Sequence, residues 1–594
     1  MSTEDQQQRL ARRVQELYAT DPEFAAAAPD LTVCEAITAP GVRLADIVRI
    51  LSDRYADRPA LGQRAVKFVQ DAAGRTSPQL LPAFDTITYR QLWDRASAIA
   101  AALASDPVWP GDRVCTLGFT SVDYTIVEVA LVLLVAVSVP LQTNARLPQL
   151  LSITDETEPV LIAASVDDLS VAIRLAMHSR STARIVVFDY HSEVDDHREA
   201  LTAARVDVAF AGTPIVVEPI GEVIARGTSQ PTPANASDDD DPLSLVVYTS
   251  GSTGTPKGAM HLEQLVAMNW QSPARVALRR GGGTPSITLN FLPLSHAGGR
   301  GMLFGVFGIG GTAYFAAKSD MSTLMEDIAL VRPTKLNLVP RVWDMLFQEF
   351  EGEVDRRCAD GADRATVEAR VMADLRQNLL GGRYVAVLTG SAPISPELAR
   401  WVESFTDTHL MDSFGSTESG SVVVDGRVAR PPVIDYKLVD VPELGYSSTD
   451  RPHPRGELAV KSASMFAGYY KRPDVTAEVF DSDGFYCSGD IVAEIAPDEL
   501  IYVDRRNNVL KLSQGEFVAV SKLEAVFLDS PVVSQIYIYG NSARPYLLAV
   551  VVPTDEAMGR SDVVSLKPLI SRSLQDVAST AGLQSYEIPR DFLV

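Results

Sequence analysis

Residues 248–258 read YTSGSTGTPKG, three glycines and five small hydroxyl side chains around a single lysine, directly after the apolar run LSLVV at 243–247. Clusters of Gly, Ser and Thr are commonly flexible linkers. Here the run follows a strand-like apolar stretch without a gap, and Pro256 and Lys257 restrict it and give it charge. A Walker A loop needs G-x-x-x-x-G-K-[ST], a spacing that Gly251 to Gly258 lacks. What remains is a turn whose backbone N–H groups, hydroxyls and one ammonium can wrap a polyphosphate.

The rest of the chain bounds that reading. At 594 residues it is too long for one ordinary core, so several folding units are expected. With 46% hydrophobic and 22% charged residues, it has the composition of a globular protein. The net charge of -23 argues against nucleic-acid or anionic-membrane binding, which require a basic face. Cys34, Cys115, Cys358 and Cys487 are far apart and form no CxxC pair, which argues against a zinc site or disulfide framework and favours the reducing cytoplasm.

The N-terminal stretch MSTEDQQQRLARRVQELYATD, with Leu10, Val14 and Leu17 at helical spacing, predicts a surface helix and lacks the apolar core of an export signal. The longest apolar run, VALVLLVAVSVPL (129–141), falls short of the ~20 residues of a membrane helix. A buried helix running into a buried strand accounts for it. Helical patterns such as TYRQLWDRASAIAAALAS alternate with β-rich runs such as DRVCTLGF, PVLIAAS and ARIVVFDY, the pattern of an α/β sheet protein. Gly227–Pro242 (GTSQPTPANASDDDDP) is expected to be an exposed connection. From about Asn507 the order becomes strand, helix, strand, strand, helix, strand, which predicts a small α+β domain over 507–594 after a large core over 1–506.

YTSGSTGTPKG resembles the phosphate loop of the adenylate-forming superfamily, which includes acyl-CoA synthetases, luciferases and nonribosomal-peptide adenylation domains. Further stretches follow in that family's order: FLPLSHAGG (291–299), GSAPIS (390–395), DSFGSTESG (412–420), RGELAV through FYCSGD (455–490) and YVDRRNNVLKLSQGEFV (502–518). The resemblance implies an adenylate-forming α/β fold, a large multi-sheet N-terminal core with a small mobile C-terminal domain. It implies an ATP-dependent enzyme in which a carboxylate oxygen attacks the α-phosphate of ATP and pyrophosphate departs. Such a transition state spreads negative charge over phosphate oxygens and requires cations and N–H donors.

Carried over residue by residue, the resemblance implies that Thr249, Ser250, Ser252, Thr253 and Lys257 hold the β- and γ-phosphates. Thr417 takes the α-phosphate and Glu418 holds Mg²⁺, a hard cation suited to carboxylate oxygen. Phe414 stacks on adenine where relatives commonly have tyrosine; the other reading is a core phenylalanine. Asp490 accepts from both ribose hydroxyls, against ordinary turn chemistry after glycine. Arg505 contacts ribose and phosphate, or is simply solvated, and Ser391, Asp412 and Ser413 complete the nucleotide set. His296 sits beside the acyl carboxylate, in a pocket lined by Leu294, Gly390, Ser391, Ala392, Pro393, Ser413 and Gly415. Asn507 falls on the hinge. Lys511 resembles a lysine that enters the site in a second orientation, or is an edge lysine that guards against strand pairing.

Stretches outside these motifs, among them FDTITYRQL, DYKLVDVPELGYSSTDRPHPRGELAVK and LQSYEIPRDFLV, resemble the adenylation domains of carboxylic acid reductases. That branch implies a longer polypeptide, with a phosphopantetheine carrier and an NADPH-dependent reductase giving aldehyde, and a monomer is expected. The family's adenylation lysine near the end of the small domain has no counterpart among Lys511, Lys522 and Lys567, so the sequence looks truncated. Two alternatives stay open: a free-standing long-chain fatty acyl-CoA ligase, and a non-catalytic nucleotide-binding module.

Overall fold

The structure is a computed structural model that describes residues 3–106, 108–233, 237–250, 256–358, 363–514, 516–541, 544–560 and 563–594. The chain divides into two compact units. The first comprises Met1–Asn337, Met372–Ala386 and Phe466–Pro473; the second comprises Leu338–Val371, Val387–Met465 and Asp474–Val594.

The first unit is built on a seven-stranded sheet ordered Val216–Pro219, Arg184–Phe188, Leu161–Ser165, Arg113–Leu117, Val137–Leu141, Leu243–Ser250, Pro256–Leu262. Neighbours run parallel up to Leu243–Ser250, and the last strand folds back antiparallel. The apolar run at 129–141 splits as expected. Ser121 caps a buried helix, Val122–Leu134, which ends at left-handed Val135 and feeds the buried strand Val137–Leu141. Thr88 and Gln91 form a reciprocal capping box that starts the helix Tyr89–Ser105. The N-terminal helix spans Thr3–Thr20. A second sheet of four strands contains the long hairpin Pro59–Gln70 and Thr76–Thr88, which the sequence pattern did not reveal.

The expected connection at Gly227–Pro242 is only partly that. Gly227 closes the helix Ile220–Gly227 and is buried, while Asp238 to Asp240 are exposed. The reason is steric: a Cβ on Gly227 would lie 1.8 Å from the backbone oxygen of Ala98, so two helices approach there at glycine distance. Pro, Ser and Asp surround a residue whose own job is close packing.

In the second unit one sheet runs in the spatial order Ala386–Gly390, Leu410–Ser416, Gly420–Val424, Arg427–Val428, Glu499–Arg505, Tyr486–Ala496, Arg455–Ser462, Val433–Val439. Beyond Asn507 the expected order of elements is present: Val509–Lys511, Val520–Phe527, Val533–Tyr539, Leu548–Pro553, Val563–Thr580 and Asp591–Leu593, with a short strand Phe517–Ala519 added. These elements enclose a core of their own, from Leu512 through Phe527 and Ile570 to Phe592. The opposite face of their three-stranded sheet is exposed and apolar, with Tyr537, Tyr539, Leu548, Val550, Val552 and Leu593. No helix among the described residues is long and apolar enough to cross a membrane.

Gly227→Ala is expected to destabilise the first unit by about 1–3 kcal/mol, because backbone and not a flexible side chain stands in the way. The midpoint of urea denaturation checks it; an unchanged midpoint would show that the two helices have room to part.

Candidate nucleotide site

The two strands that flank the glycine-rich stretch form the edge of the seven-stranded sheet. Leu243–Ser250 and Pro256–Leu262 pair with Tyr248 opposite Gly258, Thr249 opposite Lys257 and Ser250 opposite Pro256. Gly258 is required there, since a Cβ would meet Val246 Cγ1 at 2.6 Å. The register places the Thr249 hydroxyl 3.4 Å from the Lys257 carbonyl and the Lys257 ammonium 5.4 Å from the centre of the Tyr469 ring. The side chain of Ser250 and all of Ser252 and Thr253 lie outside the described residues.

Leu294 and His296 follow the buried strand Ile287–Asn290. Leu294 is buried, and His296 is the N-cap residue of the helix Ala297–Phe307, its own N–H bonded to the Pro293 carbonyl at 3.1 Å. Its ring reaches solvent, yet the surrounding protein mass desolvates it enough to hold its pKa below the ordinary imidazole value. One turn on, Arg300 forms a buried ion pair with Glu128 and donates to the Leu294 carbonyl at 3.4 Å. Glu128 also accepts from Ser138 at 2.9 Å, so the loop that carries Leu294 and His296 is tied to the parallel sheet through charge removed from water.

The second unit holds Asp412, Phe414, Thr417, Glu418, Asp490 and Arg505, further positions that the resemblance singles out. Asp490 lies in the strand Tyr486–Ala496, opposite Arg505. Before it, Gly489 adopts φ +74°, a conformation glycine takes without strain, and its N–H donates to Glu457 at 3.0 Å. Glu457 also accepts from Arg506 at 2.8 Å, which fixes the turn. Asp490 is 1% exposed, and neither carboxylate oxygen has a hydrogen-bond partner among the described residues. Arg505 Nε approaches Oδ1 to 2.8 Å, an electrostatic contact out of line for a hydrogen bond. Burial pushes the Asp490 carboxyl up to about 6; Arg505 opposes the shift, and Glu418, Glu457 and Asp504 add to it.

An aromatic pair stands beside this carboxylate. Phe414, half-buried in Leu410–Ser416, lies 5.6 Å from the Tyr502 ring, and Asp490 is among the charges that keep the Tyr502 phenol above its ordinary range, after burial. Tyr502 carries no motif signal beyond its neighbours, and Glu457 was passed over inside RGELAV; their roles come from strand pairing. Thr417 and the buried Glu418 occupy a turn closed by Ser416 and Ser419, whose hydroxyls are 2.9 Å apart. The structure thus brings Phe414, Glu418, Asp490 and Arg505 together. Gly390 packs where a Cβ would strike the Ser413 carbonyl at 2.6 Å; Ser391, at φ +70°, and Ala392 and Pro393 are exposed. Asp412 donates its N–H to Asp425 at 2.9 Å, Ser413 bonds Ser421 at 3.1 Å, and Gly415 packs against Gly420. Asn507 lies in an exposed turn, and Lys511 lies on a strand with its ammonium 4.8 Å from the Phe517 ring centre.

Residues 54–470 match the family model for AMP-binding enzymes. The chain belongs to that family. It is 59% identical over its whole length to carboxylic acid reductase from Mycobacterium tuberculosis, and spans 50% of that protein. The adenylation domain of carboxylic acid reductase from Segniliparus rugosus, solved with AMP and a co-purified carboxylic acid, is 50% identical with a TM-score of 0.94, over 98% of this chain and 93% of that one. An adenylation–carrier didomain of the same reductase with AMP gives 50% identity and TM-score 0.94, over 98% and 81%. Within the family, this chain takes its place among the adenylation domains of carboxylic acid reductases.

A carboxyl raised by burial weakens the folded state once it ionises. Relative to a neutral side chain, Asp490 leaves the fold unpenalised below its unfolded pKa near 3.8, and stability is lost as pH rises toward about 6. Asp490→Asn should therefore be more stable than wild type by about 2–3 kcal/mol at pH 7 and by only about 0.5 kcal/mol at pH 4. Denaturant titrations at the two pH values check this; equal stabilities at pH 7 would contradict the desolvation.

Proposed function

We propose that the chain activates a carboxylic acid with MgATP, giving an acyl-adenylate and pyrophosphate. The observation that carries this reading is the buried Asp490 carboxylate, whose two oxygens await donors beside the rings of Phe414 and Tyr502. A ribose offers two adjacent hydroxyls to those two acceptors, and Phe414 supplies a face for adenine. The relatives solved with AMP support it.

In this reading Thr249, Ser250, Ser252, Thr253 and Lys257 hold the β- and γ-phosphates, Thr417 meets the α-phosphate, and Arg505 reaches ribose and phosphate. The acid binds near His296 and Leu294, along Gly390 to Pro393, Ser413 and Gly415. The depressed pKa of His296 keeps the ring neutral at pH 7, able to hydrogen-bond the carboxylate without forming an ion pair that blunts its nucleophilicity. The carboxylate oxygen bonds to the α-phosphorus, the bond to the bridging oxygen breaks, and pyrophosphate leaves with that electron pair. One buried carboxylate, Glu418, suits Mg²⁺, which keeps waters and substrate phosphates as its other ligands. Bound there, Mg²⁺ would offset charge on the phosphate oxygens; the described residues contain no cluster of three ligating side chains for a resident metal.

For the whole protein we propose the sequence adenylation, thioester formation on a phosphopantetheine carrier, and NADPH-dependent reduction to an aldehyde, in a monomeric cytoplasmic polypeptide. The segment from Asn507 onward, with its own core, turns as one body between the first two steps, and Lys511 enters the site for thioester formation.

The chain should bind AMP with an affinity that is flat above pH 7 and falls as pH drops below about 6, because protonated Asp490 loses an acceptor. Asp490→Ala should lose at least about a hundredfold in affinity. Calorimetric titration with AMP, alongside acid-dependent exchange of labelled pyrophosphate into ATP, tests both. Failure of wild type to bind any adenine nucleotide would reject the proposal.

A further inference from the structure

The strands that carry Thr249 and Lys257 are held by a piece of chain from more than 200 residues downstream. Ala467 to Tyr470 pair with the outer strand: Ala467 N–H bonds the Met260 carbonyl at 2.9 Å, Met260 N–H bonds the Gly468 carbonyl at 2.9 Å, and Tyr470 N–H bonds the Gly258 carbonyl at 2.7 Å. Tyr469 then presents its ring to the Lys257 ammonium. At the end of this strap, Arg472 Nε donates to one oxygen of Glu156 at 2.6 Å; the Tyr248 hydroxyl donates to the other, also at 2.6 Å. Beside them Lys471 bonds Glu158 at 2.8 Å.

Glu156 sits in the last turn of the helix Leu147–Thr157. Its carboxylate therefore pins three separate pieces of chain: that helix, the strand that leads into the turn, and the strap against the strand that leaves it. Tyr248 is the residue immediately before Thr249 and is almost fully buried, which leaves Glu156 as the polar exit for its hydroxyl. The Nε donor and the phenol give each carboxylate oxygen a donor of its own, and both bonds are charge-assisted.

We infer that Glu156, through Tyr248 and Arg472, is a positioning residue that sets Thr249 and Lys257 for the β- and γ-phosphates of ATP. The inference rests on the phosphate role proposed above for those two residues. Glu156 itself touches no substrate. Its contribution is to hold the two flanks of the turn in register before nucleotide arrives, so that binding does not bear the cost of ordering them.

Binding of MgATP and of AMP to the same variants separates this role from general stability, since AMP lacks the phosphates in question. Glu156→Gln, Tyr248→Phe and Arg472→Gln should each weaken MgATP about tenfold while leaving AMP affinity within about twofold. The double change Glu156→Gln with Tyr248→Phe should cost no more than the larger single effect, because the two share one interaction. If Glu156→Gln does not fold, the two milder single variants carry the test. Parallel loss of both nucleotides, or no change in either, overturns the assignment. Wild type that binds AMP but shows no gain from the extra phosphates of MgATP also overturns it and leaves the ribose site standing; wild type that binds neither rejects the function itself.

Discussion

A carboxylate removed from water without hydrogen bonds is among the most costly arrangements a fold can hold. Asp490 is in that position, and much of the second unit follows from keeping it there. The positive φ of Gly489 swings the chain so that Asp490 turns inward, Glu457 and Arg506 lock the turn from behind, and Arg505 lends charge without filling either acceptor. Strain of this kind persists where the surrounding structure over-determines it, and its usual reason is a ligand that relieves it. The raised carboxyl and the aromatic pair beside it are two views of one neighbourhood.

The first unit solves a different problem, how to hold the two strands that flank a glycine-rich stretch. A parallel sheet buried on both faces gives a rigid base, and one antiparallel strand at its edge turns the chain back. Backbone pairing with the strap covers that edge through main-chain hydrogen bonds, and the Lys257 ammonium faces the Tyr469 ring. The loop that carries Leu294 and His296 is supported in a similar way, by the Glu128–Arg300 pair rooted in the parallel sheet.

Local patterns made much of this legible. The apolar run at 129–141, the helical pattern from Thr88 and the alternation after Asn507 each describe a few neighbouring residues, and the elements they predict are in place. Phe414, Glu418, Asp490 and Arg505 were singled out because their motifs carry them, and in the structure Glu418, Asp490 and Arg505 share one electrostatic neighbourhood, with Phe414 against Tyr502 beside it. Tyr502, Glu457, Glu156 and Arg472 were not singled out. Their roles arise from strand register and from contacts between segments far apart in the chain, which no window of sequence contains. Gly227 shows the opposite failure: its polar, proline-rich neighbours suggested a linker, while the absence of its side chain serves a helix–helix contact.

The eight-residue strap has a consequence for how the polypeptide can be taken apart. Phe466–Pro473 belongs to the first unit, yet the chain on either side of it belongs to the second. Met372–Ala386 is placed in the same way, so no single cut yields either unit whole, and pieces of the first unit stay on the other fragment. Efforts to produce the halves separately, by split-gene expression or stepwise truncation, would need to graft those residues back onto the N-terminal piece, and a circular permutant with new ends inside the strap would sever the two units' shared thread.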